Sequence, residues 1–118
     1  MTVKETFGRF GEDLAVETLV GLGYVIAERN WRCPQGELDI VAWDGDDLVF
    51  VEVKTRSSAA FGTAAEAVTR EKMLRIRRAM TQWLLVRRPP FAHLRIDVVT
   101  VTTSRSAPPV VEHLKAVS

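Results

Sequence analysis

Apolar positions recur along this chain with two different periods, and the changes between them mark its elements. From Lys4 to Leu22, residues Phe7, Phe10, Gly11, Leu14, Ala15, Thr18, Leu19 and Leu22 fall on one helical stripe. Gly21 and Gly23 suit the C-terminal end of that helix. Tyr24 to Asn30 reads as a strand, and Cys33-Pro34-Gln35-Gly36 as a loop. Two strand-type runs follow, Gly36 to Trp43 and Leu48 to Lys54. The turn-type cluster Asp44-Gly45-Asp46-Asp47 divides them, which makes the pair a β-hairpin. A loop from Ser57 to Gly62 leads to a second helix. Thr69 is its expected N-cap. Val68, Lys72, Met73, Ile76, Met80, Trp83 and Leu84 form its stripe, and Pro89-Pro90 ends it. Leu94 to Thr103 alternates and is rich in β-branched residues, so it is a strand. The predicted order is αβββαβ. Residues 1–103 form one α/β domain, and residues 104–118 form a Pro-containing tail with a short strand near Val110-Val111.

The hairpin carries charges where strand physics disfavours them. Side chains alternate faces along a strand, so Glu37, Asp39, Val41 and Trp43 share one face. On the next strand Val49, Val51 and Val53 share one face, and Phe50, Glu52 and Lys54 the other. A two-residue turn at Gly45-Asp46 pairs Asp44 with Asp47, and a four-residue loop pairs Trp43 with Leu48. Both give one register, with Asp39 opposite Glu52 and Glu37 opposite Lys54. Directly opposed Cβ atoms lie about 4.5–5.5 Å apart. Carboxylates that close repel, and a cation between them relieves the repulsion. A divalent metal is the most economical reading of Asp39 and Glu52 with Lys54 beside them. Glu52 and Lys54 also suit a solvated i, i+2 pair on the water-facing side of a sheet. Against that, Val49-Phe50-Val51 is apolar on both faces, and the charges begin at the strand's C-terminal end, where open α/β sheets place their sites. On spacing alone the two readings stand level.

Composition narrows the classes. The 118 residues are 47% hydrophobic and 26% charged, a globular composition with room for one core. No apolar run spans a bilayer, and the N-terminal residues lack the apolar stretch of a secretory signal. A single cysteine, Cys33, excludes an internal disulfide and a cysteine-rich zinc site. Cytoplasmic location is the expectation that follows. The net charge is only +1, so nucleic-acid binding must rest on local clusters. Arg70, Arg75, Arg77 and Arg78 make one such cluster, which Arg87 and Arg88 extend. A solvated helix face explains the same arginines.

The motifs together carry a resemblance. Asp39, a hairpin turn and Glu52-Val53-Lys54 resemble the PD-(D/E)xK nuclease signature. Glu12, on the first helix, matches the extra acidic residue of archaeal Holliday-junction resolvases. Phe10-Gly11-Glu12, Gly23-Tyr24, Arg29-Asn30-Trp31, Gly36-Glu37-Leu38-Asp39, Phe50-Val51-Glu52-Val53-Lys54-Thr55-Arg56, Lys72 and Arg95-Ile96-Asp97-Val98-Val99 occur in that order. The string is similar to the YraN-like bacterial proteins, a group of predicted endonucleases, from about Val3 to Val101. Leu38 stands where the signature's name has a proline. The resemblance implies a restriction-endonuclease-like domain with a mixed central sheet flanked by helices. It implies Mg²⁺-dependent hydrolysis of phosphodiester bonds in DNA, branched DNA included, with Mn²⁺ as a substitute. Glu12, Asp39, Glu52 and Lys54 would be the catalytic set. Asp39, Glu52 and the Val53 carbonyl would be the metal ligands. Arg56, Lys72 and Arg75 are the expected nucleic-acid contacts. The competing class is a non-catalytic nucleic-acid-binding module on a nuclease fold.

Several residues keep a second, structural explanation. Glu12 lies at the edge of its stripe and reads, on spacing, as a first-turn Glu favoured by the helix dipole. Lys72 interrupts an apolar stripe, either snorkelling to water or aiming its amine at a phosphate or at the carboxylates. Arg95 and Asp97 read as a structural ion pair. Trp31 and Phe61 read as loop aromatics that stack bases or cover the core. His93 and His113 receive no role. A homodimer is expected, because symmetric cutting of a junction needs two sites related by a two-fold axis. The apolar tail 107–111 and the hairpin flank are its expected contact surfaces.

Overall fold

The computed structural model describes residues 1–58, 60 and 62–118. Helix α1, Val3–Gly21, begins at a Thr2 N-cap. The Thr2 hydroxyl accepts from Glu5 N, and Glu5 reaches back to Thr2 N, so two orphan donors of the first turn are satisfied. Gly23, at φ +95°, turns the chain out of the helix. Strands β1 (Val25–Cys33), β2 (Gly36–Asp44) and β3 (Asp47–Arg56) follow. A short 3₁₀ turn over Ala65–Ala67 leads into α2, Arg70–Arg87. The Thr69 hydroxyl caps α2 by accepting from Lys72 N at 3.2 Å, as its position predicts. Strands β4 (Leu94–Thr102) and β5 (Val110–Leu114) complete the chain.

The five strands form one sheet in the order β1-β2-β3-β4-β5. The β3–β4 pair is parallel, with α2 in the crossover between them, and the other pairs are antiparallel. The expected fold class is therefore observed: one α/β domain with a mixed sheet flanked by helices, consistent with a restriction-endonuclease-like fold. Each helix covers a separate face. Ala15 and Leu19 of α1 pack on Ile40, Ala42, Val49, Val51, Val99 and Val101. Ile76, Ala79, Met80 and Trp83 of α2 pack on Val41, Leu48, Phe50 and Ile96. Double cover explains why β3 reads as a continuous apolar run.

One expectation changes. Strand β1 runs on past Asn30 to Cys33, so Trp31 pairs with Leu38 within the sheet and is not a loop aromatic. Phe61 lies outside the described residues. Residues 110–114 add to the chain's own sheet through pairs from Val98–Leu114 to Thr102–Val110, because β4 would otherwise be an open edge. That backbone is therefore already paired within the chain.

Candidate active site

The site lies where β2 and β3 part. Gly45, at φ +61°, makes the two-residue turn that pairs Asp44 with Asp47. The expected register holds from there to Ile40–Val51, where the β2–β3 pairing stops. Beyond that point β2 stays paired to β1, and β3 stays paired to β4. The Val53 N–H would be orphaned by the split. It donates instead to Asp39 Oδ2 at 2.9 Å, so the Asp39 carboxylate takes the place of a ladder carbonyl.

Asp39 and Glu52 meet in this fork. Burial raises the Asp39 carboxyl to about 6, against the Val53 hydrogen bond that favours its charge. Burial first and the Asp39 charge second raise Glu52 to about 8. The pair therefore resists losing both protons near neutral pH, and the two carboxyls titrate as a unit. Glu37 adds repulsion to both and pairs at 3.6 Å with Arg32.

Two lysines face this charge. The Lys54 amine is held below the ordinary lysine range, first by the Lys72 charge beside it and then by burial. Lys72 also offsets the raised Glu52. Lys72 therefore lies near the carboxylates and also lines an open cleft. A cleft of about 180 Å³ is lined by Gly36, Glu37, Asp39, Glu52, Lys72 and Arg75. A second, of about 250 Å³, lies toward α1 and is lined by Glu12, Asp39, Val53 and Lys54 among others. Asp39 belongs to both.

Glu12 is placed by packing. It sits well inside α1, so the first-turn dipole reading does not apply. A Cβ on Gly11 would lie 1.8 Å from Thr55 Oγ1, so α1 crosses β3 at contact distance there and only glycine fits. That crossing brings the next residue, Glu12, close enough for its charge to raise Asp39. Arg29 Nε at 3.0 Å and Asn30 Nδ2 at 2.9 Å both donate to Glu12 Oε1. Asn30 has φ +53°, an uncommon conformation for a non-glycine residue and one that asparagine tolerates. Spacing does not reveal this holder, because its partners lie 17 and 18 residues from Glu12.

The remaining expected contacts divide. Arg75 lines the first cleft. Arg56 is turned inward, only 8% exposed, with Nε donating to Thr102 Oγ1 at 3.0 Å. Arg77 bonds Ser118, and Arg87 pairs with Glu28 at 2.8 Å, so neither extends a free basic face. Arg95 and Asp97 form the expected ion pair at 2.9 Å. His113, which spacing left without a role, bonds Asp97 Oδ2 at 2.7 Å because β5 docks beside β4.

The donor set suits a hard divalent cation. Two half-buried carboxylates set close together repel, and oxygen ligands are what Mg²⁺ prefers. Among the described residues no three His, Cys, Asp or Glu side chains converge closely enough to hold an ion by themselves. The candidate side-chain ligands are therefore Asp39 and Glu52, with Glu12 behind them.

Comparison with known proteins places the chain. A family model described as "Uncharacterised protein family UPF0102" matches residues 11–101. The chain belongs to the UPF0102 family. It is 51% identical over 117 residues to a UPF0102 protein of Beutenbergia cavernae, covering 99% of each chain. It is 50% identical over 115 residues to one of Frankia alni, covering 98% of this chain and 96% of that relative. A UPF0102 protein of Pseudarthrobacter chlorophenolicus is 48% identical over 118 residues, covering 100% and 89%. The matched UPF0102 region contains Glu12, Asp39, Glu52, Lys54 and Lys72. Among the described residues, no helix is long and apolar enough to cross a membrane.

Proposed function

We propose that this UPF0102 protein is a metal-dependent endonuclease of the PD-(D/E)xK type, hydrolysing phosphodiester bonds in DNA in the cytoplasm. The observation that carries the reading is the Asp39–Glu52 pair, two half-buried carboxylates at one fork, the Asp39 charge raising Glu52, with Lys54 and Lys72 beside them. A structural ion pair would balance its charges, as Arg95 and Asp97 do. This site instead stacks acid on acid and base on base.

Asp39, Glu52 and the Val53 carbonyl would hold Mg²⁺, with Mn²⁺ as a substitute. Such an ion polarises the phosphate and activates water, which lowers the barrier to hydrolysis. Lys54 lies where its ammonium can stabilise charge developing on the phosphoryl oxygens. Glu12, pinned through Oε1, keeps Oε2 unbonded among the described residues and able to orient a water. Lys72 and Arg75 line the other side of the cleft and suit backbone phosphates, which fix position without reading sequence.

A panel of branched, nicked, single-stranded and duplex DNA, incubated with Mg²⁺ or Mn²⁺, tests the reading. Cleavage that EDTA abolishes is expected. Binding without cleavage of any substrate refutes it in favour of a non-catalytic binding module. The proposal includes a homodimer for symmetric cutting, with the hairpin flank as its contact. A single species of 13.2 kDa in sedimentation equilibrium refutes the dimer alone.

A further inference from the structure

Two features of α1 lie outside the packed core. Phe7 is half-buried, yet it joins neither of the two apolar clusters that make up the core. Its ring instead lines two adjoining clefts, of about 250 and 340 Å³, which share Phe7, Lys54 and Thr55. Gly8 follows it inside the helix, where glycine is unfavourable. Gly11 is required by its contact with Thr55, but a Cβ on Gly8 would meet nothing within 4 Å. The missing side chain therefore leaves open space beside an aromatic ring, in the same cleft as Glu12, Asp39 and Lys54.

Lys72 and Arg75 line the first cleft, Lys4 and Lys54 line the second, and Asp39 lines both. Cations suit phosphates, and an aromatic ring lining an open cleft suits a nucleobase. A base within a duplex has both faces covered by its neighbours, so only an unpaired one can stack on Phe7.

We propose that the clefts along α1 and the β2–β3 fork seat one unpaired nucleic-acid strand, with a base stacked on Phe7 over the space left by Gly8. This rests on the nuclease reading and names its substrate class: single strands and the unpaired arms of branched DNA. Stacking places the base, Lys4 and Lys54 meet the phosphates, and the scissile bond lies against the carboxylate pair.

Fluorescence anisotropy tests it with two probes in Ca²⁺, a fluorescein-labelled single-stranded thymidylate 12-mer and a blunt hairpin duplex with the same label. The wild type is expected to bind the single strand more tightly. Phe7→Leu is expected to weaken that binding about five- to a hundredfold, the range for losing one stacked base, and Phe7→Trp to retain it. Gly8→Leu is expected to weaken it too, with a melting temperature at or above that of the wild type. A hairpin bound as tightly as the single strand, or Phe7→Leu binding like the wild type, overturns the inference while Mg²⁺-dependent cleavage of DNA keeps the nuclease reading. Single-strand binding with these variant effects but no cleavage supports the groove and overturns the nuclease chemistry. Binding of neither probe overturns the groove.

Discussion

Glu52→Gln should stabilise the metal-free protein above neutral pH while removing its response to Mg²⁺. Burial and the Asp39 charge hold the Glu52 carboxyl at about 8, against an ordinary value of 4.5. The folded protein therefore keeps a proton that the unfolded chain has released. A raised carboxyl makes stability fall as pH rises from the ordinary carboxylate range toward 8. One pKa unit is worth about 1.4 kcal/mol, so the penalty reaches roughly 3 kcal/mol at pH 7. Glutamine has the shape of the protonated acid, but it has no proton to lose. Urea unfolding in EDTA, followed by tryptophan fluorescence at pH 5, 6, 7 and 8, measures the difference. The two proteins should differ by under about 1 kcal/mol at pH 5, by roughly 3 kcal/mol at pH 7 and by roughly 4 kcal/mol at pH 8, the variant being the more stable. Asp39, raised to about 6, leaves the variant a smaller slope of the same sign. Mg²⁺ should restore the wild type at pH 8 and leave the variant unchanged. A wild-type stability that is flat or rises across this window, or a variant less stable than the wild type at pH 8, refutes the reasoning.

Lys54→Ala should reduce Mg²⁺-dependent cleavage by about 10² or more in single-turnover assays. Its unfolding free energy should stay within about 0.5 kcal/mol of the wild type, since the lysine is exposed and repelled by Lys72. Gly11→Ala places a Cβ 1.8 Å from Thr55 Oγ1 and should destabilise by roughly 1–3 kcal/mol in urea unfolding. Gly8→Ala, with nothing within 4 Å, should instead stabilise by about 0.5–1 kcal/mol. Asp97→Asn should cost about 3–5 kcal/mol, because it removes the fully buried carboxylate shared by Arg95 and His113 and leaves Arg95 only Asp44 and Asp47. Asp97 is held at about 2 by its hydrogen bonds to His113, Arg95 and Ala116, which outweigh burial. Its contribution is therefore present above the ordinary aspartate range and lost as pH falls toward 2, which acid titration of the wild type should show as unfolding that the variant lacks.

Much of the fold was legible in the chain because it depends on local rules. The hairpin register follows from the side-chain period of two, which both turn options shared, and the structure keeps it from Asp44–Asp47 to Ile40–Val51. Thr69 could be read as a cap because a hydroxyl before a helix meets its own third residue. Asp39 and Glu52 could be paired for the same reason of parity. The tertiary structure alone decided what lies around them. Where β2 and β3 part depends on β1 and β4 holding one strand each, and no spacing within the hairpin encodes it. Glu12 reaches the site because α1 crosses β3 at Gly11, and its Arg29–Asn30 holder comes from a strand on the other side of the sheet order. Lys72 keeps both its snorkelling and its functional reading in the sequence, and only the position of the crossover helix sets it in the cleft with Asp39 and Glu52. His113 finds Asp97 only when β5 docks. Apolar burial sets these crossings, and burial depends on three-dimensional packing that short-range periodicity does not contain.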